Sequence, residues 1–530
     1  MIKILTASDM QRIDRLTTER YGVPSLTLME NAGAGVVKFL ANRFRSLEEH
    51  QVAIFCGRGN NGGDGFVVGR LLRERGLSPR TLLFGRPDSL KGDAAINYKK
   101  LEPSGVVEVI PDADAWNRVK PSLSGISLIV DALLGTGLSK PLQGFLLDVV
   151  RDVNSAFPGA FRVAVDLPSG CFADTGELAG EYLHADACIT FTAAKRAHIF
   201  PPACEKIGEW RVHEIGTPPE VLESDPELFL DLVCREDLAW LGAPRPMDGH
   251  KGLYGHVLVL AGSVGKTGAA AMAAKSALRA GAGLVTVATP RSALPLVAVL
   301  GIELMTEPLP ETENGALSLG GLEEGRLDQL VHGKSILAIG PGLGSSPETA
   351  ELVRRVVNRY ALPVVLDADG LNAFTGKMDE MQTAGRVRVL TPHPGEMARL
   401  TGSSTVEIQK RRIDVAREFA KRYQVCLVLK GARSLVASRD GRVSVNPTGN
   451  PGMATAGTGD CLTGLIAGLL AQYPRRPLRE VVAAAVYLHG LAGDLAARKR
   501  GETSMIAGDL LEAIPEALVS VHSSACAADE

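Results

Sequence analysis

The sequence predicts two consecutive α/β domains, and three observations lead to this fold class. The chain has 530 residues, which is more than one ordinary domain holds. Apolar runs of about five residues recur along it, separated by longer amphipathic stretches, as strands alternate with helices in α/β folds. Glycine is abundant at 58 residues, whereas aromatic residues make up only 5%. This balance suits short βα turns, which need glycine, and parallel sheets, which are packed by aliphatic side chains.

The apolar runs predict strands in two sets. The first set comprises residues 52–56, 81–84, 128–131, 162–166 and 187–191. The second set comprises residues 256–261, 284–288, 336–339, 364–367, 387–390 and 425–429. Stretches with helical periodicity predict helices at residues 266–280, 405–423, 460–472 and 478–498.

A segment without extended periodicity separates the two sets of strands. Residues 216–252 are rich in Pro, Asp and Glu, so we place the domain boundary near residues 218–232. The predicted domains are residues 1–218 and 230–530, and their different motifs indicate a fusion rather than a duplication. We expect the last eight residues, SSACAADE, to be frayed.

Composition and charge exclude several classes of protein. The net charge of −3, without a long basic run, argues against nucleic-acid binding. The eight cysteines are scattered and form no CxxC pair, which favours neither a zinc site nor a disulfide framework and fits a reducing compartment. The first ten residues do not read as a signal peptide, and no uninterrupted apolar run reaches the ~18 residues of a membrane helix. We therefore expect a cytoplasmic protein that binds neither membranes nor nucleic acid.

A glycine-rich loop follows the first predicted strand. Residues 57–66 read GRGNNGGDGF, in which Gly57, Gly59 and Gly62 match the dinucleotide fingerprint G-x-G-x-x-G. An NAD dehydrogenase is therefore one interpretation. Two features weaken it: the second strand is not followed by an acidic residue for a ribose, and the loop carries two asparagines and an aspartate that a pyrophosphate site does not require.

Two further strand ends carry polar residues. Asp131 ends one predicted strand, and Asp166 ends the next and precedes Ser169. Either aspartate alone could cap a helix. Because ligands of open α/β sheets collect at the carboxyl ends of strands, three such ends in one domain favour a binding site.

At these motifs the first ~215 residues resemble the NAD(P)H-hydrate epimerase family, also called the YjeF N-terminal domain. The matching segments are LMENAG (28–33), GNNGGDGFVVGR (59–70), DALLGTGL (131–138) and DLPSG (166–170). The resemblance implies a Rossmann-like three-layer sandwich. It also implies a potassium ion held by Asn61, Asp131 and Ser169, whose oxygen ligands suit a hard cation.

The same resemblance implies a substrate site for hydrated NADH or NADPH. Asp166 is the candidate acid/base, which would open and reclose the hydrated ring. The residues expected to line the substrate are Asn60, Asn61, Gly62, Gly63, Asp64, Gly135, Thr136, Gly137, Leu138, Ser139, Lys140, Pro141 and Asp166. This domain type also resembles the scaffold domain of an RNA-decapping enhancer, but the intact set of polar residues favours the enzyme.

Two glycine-rich segments in the second half invite a phosphate-site interpretation. AGSVGKTG (261–268) is not a P-loop, because position 260 is leucine where that motif needs glycine. GTGD (457–460) opens a long apolar helix, where small residues present N–H groups to an anion. Asp460 could simply stabilise the helix dipole, yet that does not explain the glycines before it. We therefore expect Asp460 to be a base that activates a hydroxyl towards phosphate.

The second half resembles the ribokinase-like superfamily and, more narrowly, ADP/ATP-dependent NAD(P)H-hydrate dehydratase. The matching segments are ALRAGAGLVTV (277–287), GPGLG (340–344), LDADGLN (366–372), TPHPGEMARL (391–400), LKGARS (429–434) and GNPGMATAGTGD (449–460). The resemblance implies a ribokinase-like three-layer α/β domain. It places Ala280, Gly342, His393 and Asp460 at the hydrated cofactor, although His393 could instead be a buried structural histidine. It places Lys430, Gly431, Ala432, Arg433, Ser434 and Gly459 at the nucleotide, with magnesium bridging the phosphates and Glu396 a weak candidate ligand.

The resemblances together imply a bifunctional repair enzyme that epimerises hydrated NADH or NADPH and dehydrates the S form at the expense of ADP or ATP. Whether the donor is ADP or ATP stays open, although this domain order resembles the bacterial, ADP-using form. A ribokinase-like kinase of a vitamin precursor with an N-terminal binding module is the alternative, and a non-catalytic RNA scaffold ranks third. We also expect a homo-oligomer of unspecified size.

Overall fold

A computed structural model describes residues 1–102, 107–178 and 180–522, and the chain divides into two compact units, Ile2–Leu228 and Phe229–Glu530. The fraying expected of residues 523–530 lies outside the described residues. Each unit is an α/β fold built on a largely parallel sheet.

In the first unit the strands are β1 (Ile2–Leu5), β2 (Val52–Cys56), β3 (Arg80–Leu83), β4 (Val107–Val109), β5 (Leu128–Ala132), β6 (Phe161–Val165), β7 (Ala187–Phe191), β8 (Ala194–Lys195) and β9 (Glu209–His213). The helices are α1 (Ala7–Glu19), α2 (Ser25–Arg43), α3 (Asn60–Glu74), α4 (Gly92–Leu101), α5 (Ala113–Val119), α6 (Phe145–Ala156), α7 (Arg196–Ile199) and α8 (Pro219–Glu223).

The main sheet of this unit has the strand order β4-β3-β2-β5-β6-β7-β9, with every neighbouring pair parallel. The chain runs outward in one direction from β2 to β4 and in the other from β5 to β9. The reversal between β2 and β5 is a topological switch point, and ligands of open α/β sheets bind at the carboxyl ends of the strands there. The loop after β2 and the loop after β5 both begin at this point.

In the second unit the strands are β10 (Leu230–Leu232), β11 (His256–Leu260), β12 (Leu284–Pro290), β13 (Met305–Leu309), β14 (Ile336–Ile339), β15 (Val364–Leu366), β16 (Arg388–Leu390), β17 (Cys426–Leu429), β18 (Leu435–Ala437) and β19 (Val443–Val445). The helices are α9 (Thr267–Arg279), α10 (Leu294–Leu300), α11 (Gly320–Glu323), α12 (Arg326–Val331), α13 (Pro347–Arg359), α14 (Ala368–Asn372), α15 (Pro394–Thr401), α16 (Thr405–Lys410), α17 (Arg412–Tyr423), α18 (Thr458–Gln472), α19 (Leu478–Arg500) and α20 (Ala507–His522).

The strands of the second unit follow the order β13-β12-β11-β14-β15-β16-β17-β18-β19-β10. Neighbours from β13 to β17 are parallel, and β18 is antiparallel to both β17 and β19. Here the direction reverses between β11 and β14. A second switch point therefore gathers the loops after β11, β14, β15, β16 and β17 at one edge of the sheet.

The core of the second unit is dominated by alanine, valine and leucine, and α9, α18, α19 and α20 pack together over the sheet. Within the described residues, α19 is the one helix long and apolar enough to cross a membrane by length and composition, and 61% of its most apolar window is buried. Its buried residues, such as Val482 and Leu488, belong to this core. Core helices of globular domains pass the same test of length and composition.

The predicted strands all occur, with ends shifted by at most two residues, because continuous apolar runs mark buried parallel strands. The predicted helix at residues 405–423 is wrong as one element. It divides into α16 and α17 at Arg411, whose φ of −123° and ψ of 34° leave the helical region. Several strands of three residues, among them β4, β10, β18 and β19, were not predicted since they are too short to show a period.

Candidate active sites

A cleft of about 620 Å³ lies at the switch point of the first unit. Its walls come from α1, α2, the start of α3, the loop after β5 and the end of β6. The polar residues that line it include Asp14, Asn60, Asn61, Asp64, Thr136, Asp166 and Lys195. The sheet thus gathers at one place the three strand ends on which the sequence prediction rested.

Asp131 and Ser169 form a buried pair beside this cleft. Ser169 donates to Asp131 twice, from Oγ to Oδ1 at 2.6 Å and from its backbone N–H to Oδ2 at 2.8 Å. Leu133 N–H adds a bond of 3.2 Å to Oδ1. Burial raises the pKa of Asp131 to about 6 in spite of these bonds. The carboxylate is therefore a buried negative charge whose energy a nearby cation would lower.

Asn61 lies close to the same loop. A Cβ atom at Gly135 would be 3.0 Å from Asn61 Oδ1 and 3.4 Å from Asp166 Oδ2, so both side chains face this glycine. Asn61 Nδ2 is buried and has no hydrogen-bond partner among the described residues. The side-chain oxygens of Asn61 and Ser169 and the carboxylate of Asp131 are oxygen ligands of the kind that a hard cation prefers.

Asp166 has an unusual backbone and a strong cationic partner. Its φ of 65° is in the left-handed region, which few residues other than glycine and asparagine adopt readily. Lys195 Nζ lies 2.7 Å from its Oδ1, and Thr190 Oγ1 donates to the same oxygen at 2.9 Å. Burial alone would raise the pKa of Asp166, but Lys195 outweighs burial and the pKa is lowered. The carboxyl is thus ionised at neutral pH and ready to accept a proton.

His198 fixes the backbone around this ion pair. Its Nδ1 accepts from Lys195 N–H at 3.0 Å, and its Nε2 lies 3.2 Å from Asp166 O. Burial lowers the pKa of His198 to about 4, so the ring is neutral and Nε2–H donates to the carbonyl. The neutral His198 ring therefore connects the backbone of Lys195 with the backbone of Asp166.

In the second unit, Asp460 lies in the first turn of α18. The helix begins after Gly457, whose φ of 94° is left-handed, and a Cβ there would be 2.6 Å from the Met272 side chain. No side chain caps this helix, so its first N–H groups stay open to a ligand. Burial and the neighbouring Asp367 raise the pKa of Asp460 to about 7. Its carboxyl can therefore exchange a proton near neutral pH.

A buried ion pair lies next to Asp460. Lys430 Nζ is 2.9 Å from Oδ1 of Asp367, which also accepts from Thr391 Oγ1 at 2.8 Å. The other oxygen of Asp367 accepts from Thr463 Oγ1 at 2.7 Å. A Cβ at Gly459 would be 3.3 Å from Lys430 Nζ, so the lysine reaches the start of α18. The structure thus brings two of the residues predicted to contact the nucleotide, Lys430 and Gly459, next to the predicted base.

His393 and Glu396 cap α15 reciprocally. His393 Nδ1 accepts from Gly395 N–H at 3.0 Å, and Glu396 Oε2 accepts from His393 N–H at 2.7 Å. Half of the His393 side chain is exposed, so it is not the buried structural histidine of the alternative interpretation. Burial of the other half lowers its pKa. Within the described residues no group of three or more His, Cys, Asp and Glu is arranged to hold a metal. Glu396 as a magnesium ligand stays a prediction.

Gly342 lies against the start of α9 rather than its end. A Cβ on this glycine, whose φ is 64°, would be 2.7 Å from Lys266 O and 3.1 Å from Ala269 Cβ. Nearby, Asp369 accepts from Gly344 N–H at 2.8 Å and pairs with Lys266 Nζ at 3.4 Å. The loop after β14 therefore packs on the N-terminal turn of α9.

Ala280 directly follows the last residue of α9, and its carbonyl accepts from the side chain of Gln472 at 2.7 Å. A Cβ at Gly468 of α18 would be 2.7 Å from Ala280 Cβ. Asp460 lies in the first turn of the same helix, about 12 Å from Gly468 along its axis. The contact of Ala280 with the substrate stays a prediction.

Comparison with known proteins matches each unit to a family. Residues 25–197 match the family described as YjeF-related protein N-terminus, and residues 257–516 match NAD(P)H-hydrate dehydratase. The bifunctional NAD(P)H-hydrate repair enzyme Nnr of Moorella thermoacetica is 43% identical over 524 residues, covering 97% of this chain and 96% of that protein. The chain belongs to the family of bifunctional NAD(P)H-hydrate repair enzymes. The Nnr of Escherichia coli is 32% identical and covers 96% of this chain and 92% of its own length.

A solved structure resembles the second unit of this repair-enzyme chain. The ADP/ATP-dependent NAD(P)H-hydrate dehydratase from Bacillus subtilis, co-crystallised with ATP and Mg²⁺, is 31% identical with a TM-score of 0.47. It covers 55% of this chain and 98% of its own.

Some of the residues predicted to contact the epimerase substrate line the cleft, namely Asn60, Asn61, Asp64 and the segment 135–138. Gly62 and Gly63 lie in the first turn of α3, where a Cβ would meet Gly57 O and the Met29 side chain. Ser139, Lys140 and Pro141 follow on the exposed surface. Contact of these five residues with the substrate stays a prediction.

The turn of residues 430–434 after β17 has two left-handed residues, Gly431 at φ 137° and Arg433 at φ 54°. Arg412 holds it through a 2.6 Å bond from its guanidinium to Ala432 O, and Ser434 Oγ donates to Gly431 O at 3.0 Å. The sequence prediction missed Asp14, Lys195, His198, Asp367 and His489. Asp367 lies in the matched segment LDADGLN (366–372) but was not singled out there, whereas the other four lie in no matched segment and reach the sites only through the fold.

Proposed function

We propose that residues 1–218 form the epimerase and residues 230–530 the dehydratase of a bifunctional NAD(P)H-hydrate repair enzyme. The first domain interconverts the R and S hydrates of NADH and NADPH, and the second restores the S form to the reduced cofactor at the expense of a nucleotide. The observation that carries this proposal is that each unit holds a carboxyl suited to proton transfer at its own switch point. Asp166 is ionised beside Lys195, and Asp460 has a pKa of about 7 at an uncapped helix start.

In the epimerase, Asp166 takes the proton of the ring hydroxyl, and the hydroxyl-bearing carbon opens and recloses with either configuration. Lys195 keeps the carboxylate charged, and Asn60, Asn61 and Thr136 orient the polar edge of the ring. Potassium would be held by side-chain oxygens of Asn61, Asp131 and Ser169, the last two of which are buried, because oxygen ligands suit a hard cation. When bound, this ion supplies positive charge that fixes the loop and favours negative charge on the substrate.

In the dehydratase, Asp460 removes the proton of the ring hydroxyl as that oxygen receives the terminal phosphoryl group of the nucleotide. The open N–H groups at the start of α18 stabilise the oxygens of the transferring group. Phosphate then leaves with the electron pair of the C–O bond far more easily than hydroxide would, and the neighbouring ring carbon gives up a proton to solvent, which restores the double bond of the reduced ring. His489 donates to Thr458 O at 2.8 Å with a pKa lowered to about 4 by burial, which holds this loop in place.

The phosphoryl donor enters as a magnesium complex of ADP or ATP. Magnesium is usually held by substrate phosphates and water together with one or two carboxylates, so a site without a protein metal cage is suited to it. Lys430 and Gly459 contact the phosphates in this proposal, and the turn of residues 431–434 contacts the rest of the nucleotide. Gly342 and His393 contact the hydrated cofactor. We propose ADP as the preferred donor.

The test is incubation of the protein with separated R and S hydrates of NADH and either nucleotide. Recovery of the absorbance of reduced nicotinamide from both hydrates, with release of free phosphate, supports the proposal. A stable phosphorylated product without reduced nicotinamide would support the kinase alternative instead.

A further inference from the structure

Two acidic side chains in the epimerase cleft have no role in the mechanism above. Asp64 is 9% exposed and lines the cleft, and no side chain or backbone group of the described residues donates a hydrogen bond to its carboxyl. Asp14 lines the cleft from α1, and its Oδ1 is buried without a hydrogen-bond partner among those residues. Charged carboxylates are rarely left buried without donors, because the lost solvation is not replaced. These two therefore differ from Asp166, which has two close donors.

The charges around the cleft strengthen this contrast. Lys195 acts electrostatically on the carboxyls of Asp14, Asp64 and Asp166, and it pairs with Asp166 at 2.7 Å. Burial, then Asp166 and Asp14, raise the pKa of Asp64 well above its usual range. Burial and Asp166 likewise raise the pKa of Asp14 to about 6, although Lys195 lowers it. The other charged residues that line the cleft are Arg15, Glu19 and Asp93.

We propose that Asp14 and Asp64 together hold the proton that the epimerase donates, and that Asp14 is a second catalytic carboxyl opposite in role to Asp166. The proposal rests on the epimerase function proposed above. The ring hydroxyl and the ring nitrogen share one carbon. Asp166 accepts the hydroxyl proton, a C=O bond forms, and the C–N bond breaks with its electron pair on nitrogen. The Asp14–Asp64 pair gives its proton to that nitrogen, and no other reactant is required.

Closure reverses these transfers. After rotation, the nitrogen attacks either face of the carbonyl and returns its proton to the Asp14–Asp64 pair. Asp166 returns its proton to the oxygen, so both carboxyl groups regain their starting states. Two carboxyl groups whose environments favour opposite protonation states are suited to simultaneous base and acid catalysis. Asp14 supplies this function from a helix that carries none of the epimerase motifs.

The experiment compares wild type with Asp14→Asn and a matched control, Asp114→Asn, at an exposed aspartate of α5 away from the residues that line the cleft. Each purified full-length protein receives the R hydrate with excess nucleotide. The rate of epimerisation in excess of the spontaneous rate is measured from pH 5 to pH 9 in steps of about half a pH unit. We expect Asp14→Asn to lose about 10²- to 10⁴-fold in kcat for epimerisation, and to lose the alkaline limb of the pH profile. Asp114→Asn should keep both the rate and the alkaline limb.

Dehydration of the S hydrate by the same samples checks that the variants are folded and active in their second unit, and melting of the first unit checks the fold there. If Asp14→Asn does not fold, Asp14→Glu is used instead; it should keep the alkaline limb but move its midpoint. Wild type that fails to epimerise would contradict the proposed function. Wild type that epimerises, with Asp14→Asn close to it in rate and pH profile, would contradict only the role of Asp14.

Discussion

Lys195 Nζ lies 2.7 Å from Asp166 Oδ1, with the lysine side chain 1% exposed, and this pair sets the charge at the floor of the epimerase cleft. Lys195 also donates to Thr190 Oγ1 at 2.8 Å and to Phe191 O at 3.1 Å, so its ammonium is fully satisfied. Asp166 is thereby kept ionised although it is buried. Removal of Lys195 should therefore affect proton transfer by Asp166 more than it affects contacts with the substrate.

Lys195→Met should move the acid limb of the epimerase pH profile to higher pH. The pKa of Asp166 is lowered because Lys195 outweighs burial, so without the lysine the same burial raises it. An opposite charge at this distance changes a pKa by about 1–3 units, and the limb should move by that amount. The measurement is kcat/KM for the R hydrate against pH, with the exposed Lys99→Met as control. An unmoved limb in a folded Lys195→Met protein would argue that Asp166 is not the base.

Potassium should stabilise the first unit more at pH 8 than at pH 5. Burial raises the pKa of Asp131 to about 6, so the stability contributed by the protonated carboxyl is lost as pH rises through that value. A cation binds the ionised form and should recover the loss above pH 6. Melting temperatures in potassium and sodium chloride at equal ionic strength measure the effect. An equal rise in melting temperature at both pH values, or in both salts, would count against a potassium site at Asp131.

Asp131→Ala should remove this potassium effect and separate the two activities. The variant lacks the formal charge among the three proposed ligands, so the loop that begins at Asn60 should lose its fixed shape. In a mixture of hydrates we expect a fast phase of normal size, from the S form, followed by a slow phase set by spontaneous interconversion. One fast phase that consumes both hydrates would show that Asp131 acts only at the end of its strand.

Asp460→Asn should abolish dehydration and leave epimerisation intact. The loss expected from removal of a general base is about 10²- to 10⁴-fold. Burial raises the pKa of Asp460 to about 7, so wild-type kcat should rise with pH through that range. Because the pKa of Asp460 is higher in the folded protein than in the unfolded chain, the free energy of unfolding also depends on pH. The wild type should lose stability as pH rises from about 4 through 7, whereas the variant should not. Turnover of the S hydrate and melting at pH 6 and pH 8 measure both, and near-normal turnover would contradict the assignment.

Lys430→Met should weaken nucleotide binding and raise the pKa of Asp460. Loss of a hydrogen bond to a charged group costs about 1.5–3 kcal/mol, so the Kd for magnesium ADP should rise by about 10- to 150-fold. Lys430 also lowers the pKa of Asp460, so its removal should move the rise of kcat to higher pH. Titration calorimetry measures the first effect and the pH profile the second, with the exposed Lys410→Met as control. Unchanged affinity would mean that Lys430 serves only to neutralise Asp367.

The sequence predicted those parts of the sites that directly follow a strand. Asn61, Asp131 and Asp166 each come after an apolar run, and parallel strands bring such positions to one edge. Lys195 was missed because it lies in β8, which has two residues and therefore shows no period. Asp14 was missed because α1 carries no motif, and only the fold lays that helix over the cleft.

The left-handed backbone of Asp166 restricts what evolution can do with this position. At a φ of 65° a bulky or β-branched side chain would strain the turn, whereas asparagine tolerates the same conformation. Asparagine keeps the shape and the hydrogen-bonding oxygen of aspartate but cannot take up a proton as a carboxylate does. A descendant of this domain could therefore become catalytically silent by a change in one codon and keep its cleft for binding alone.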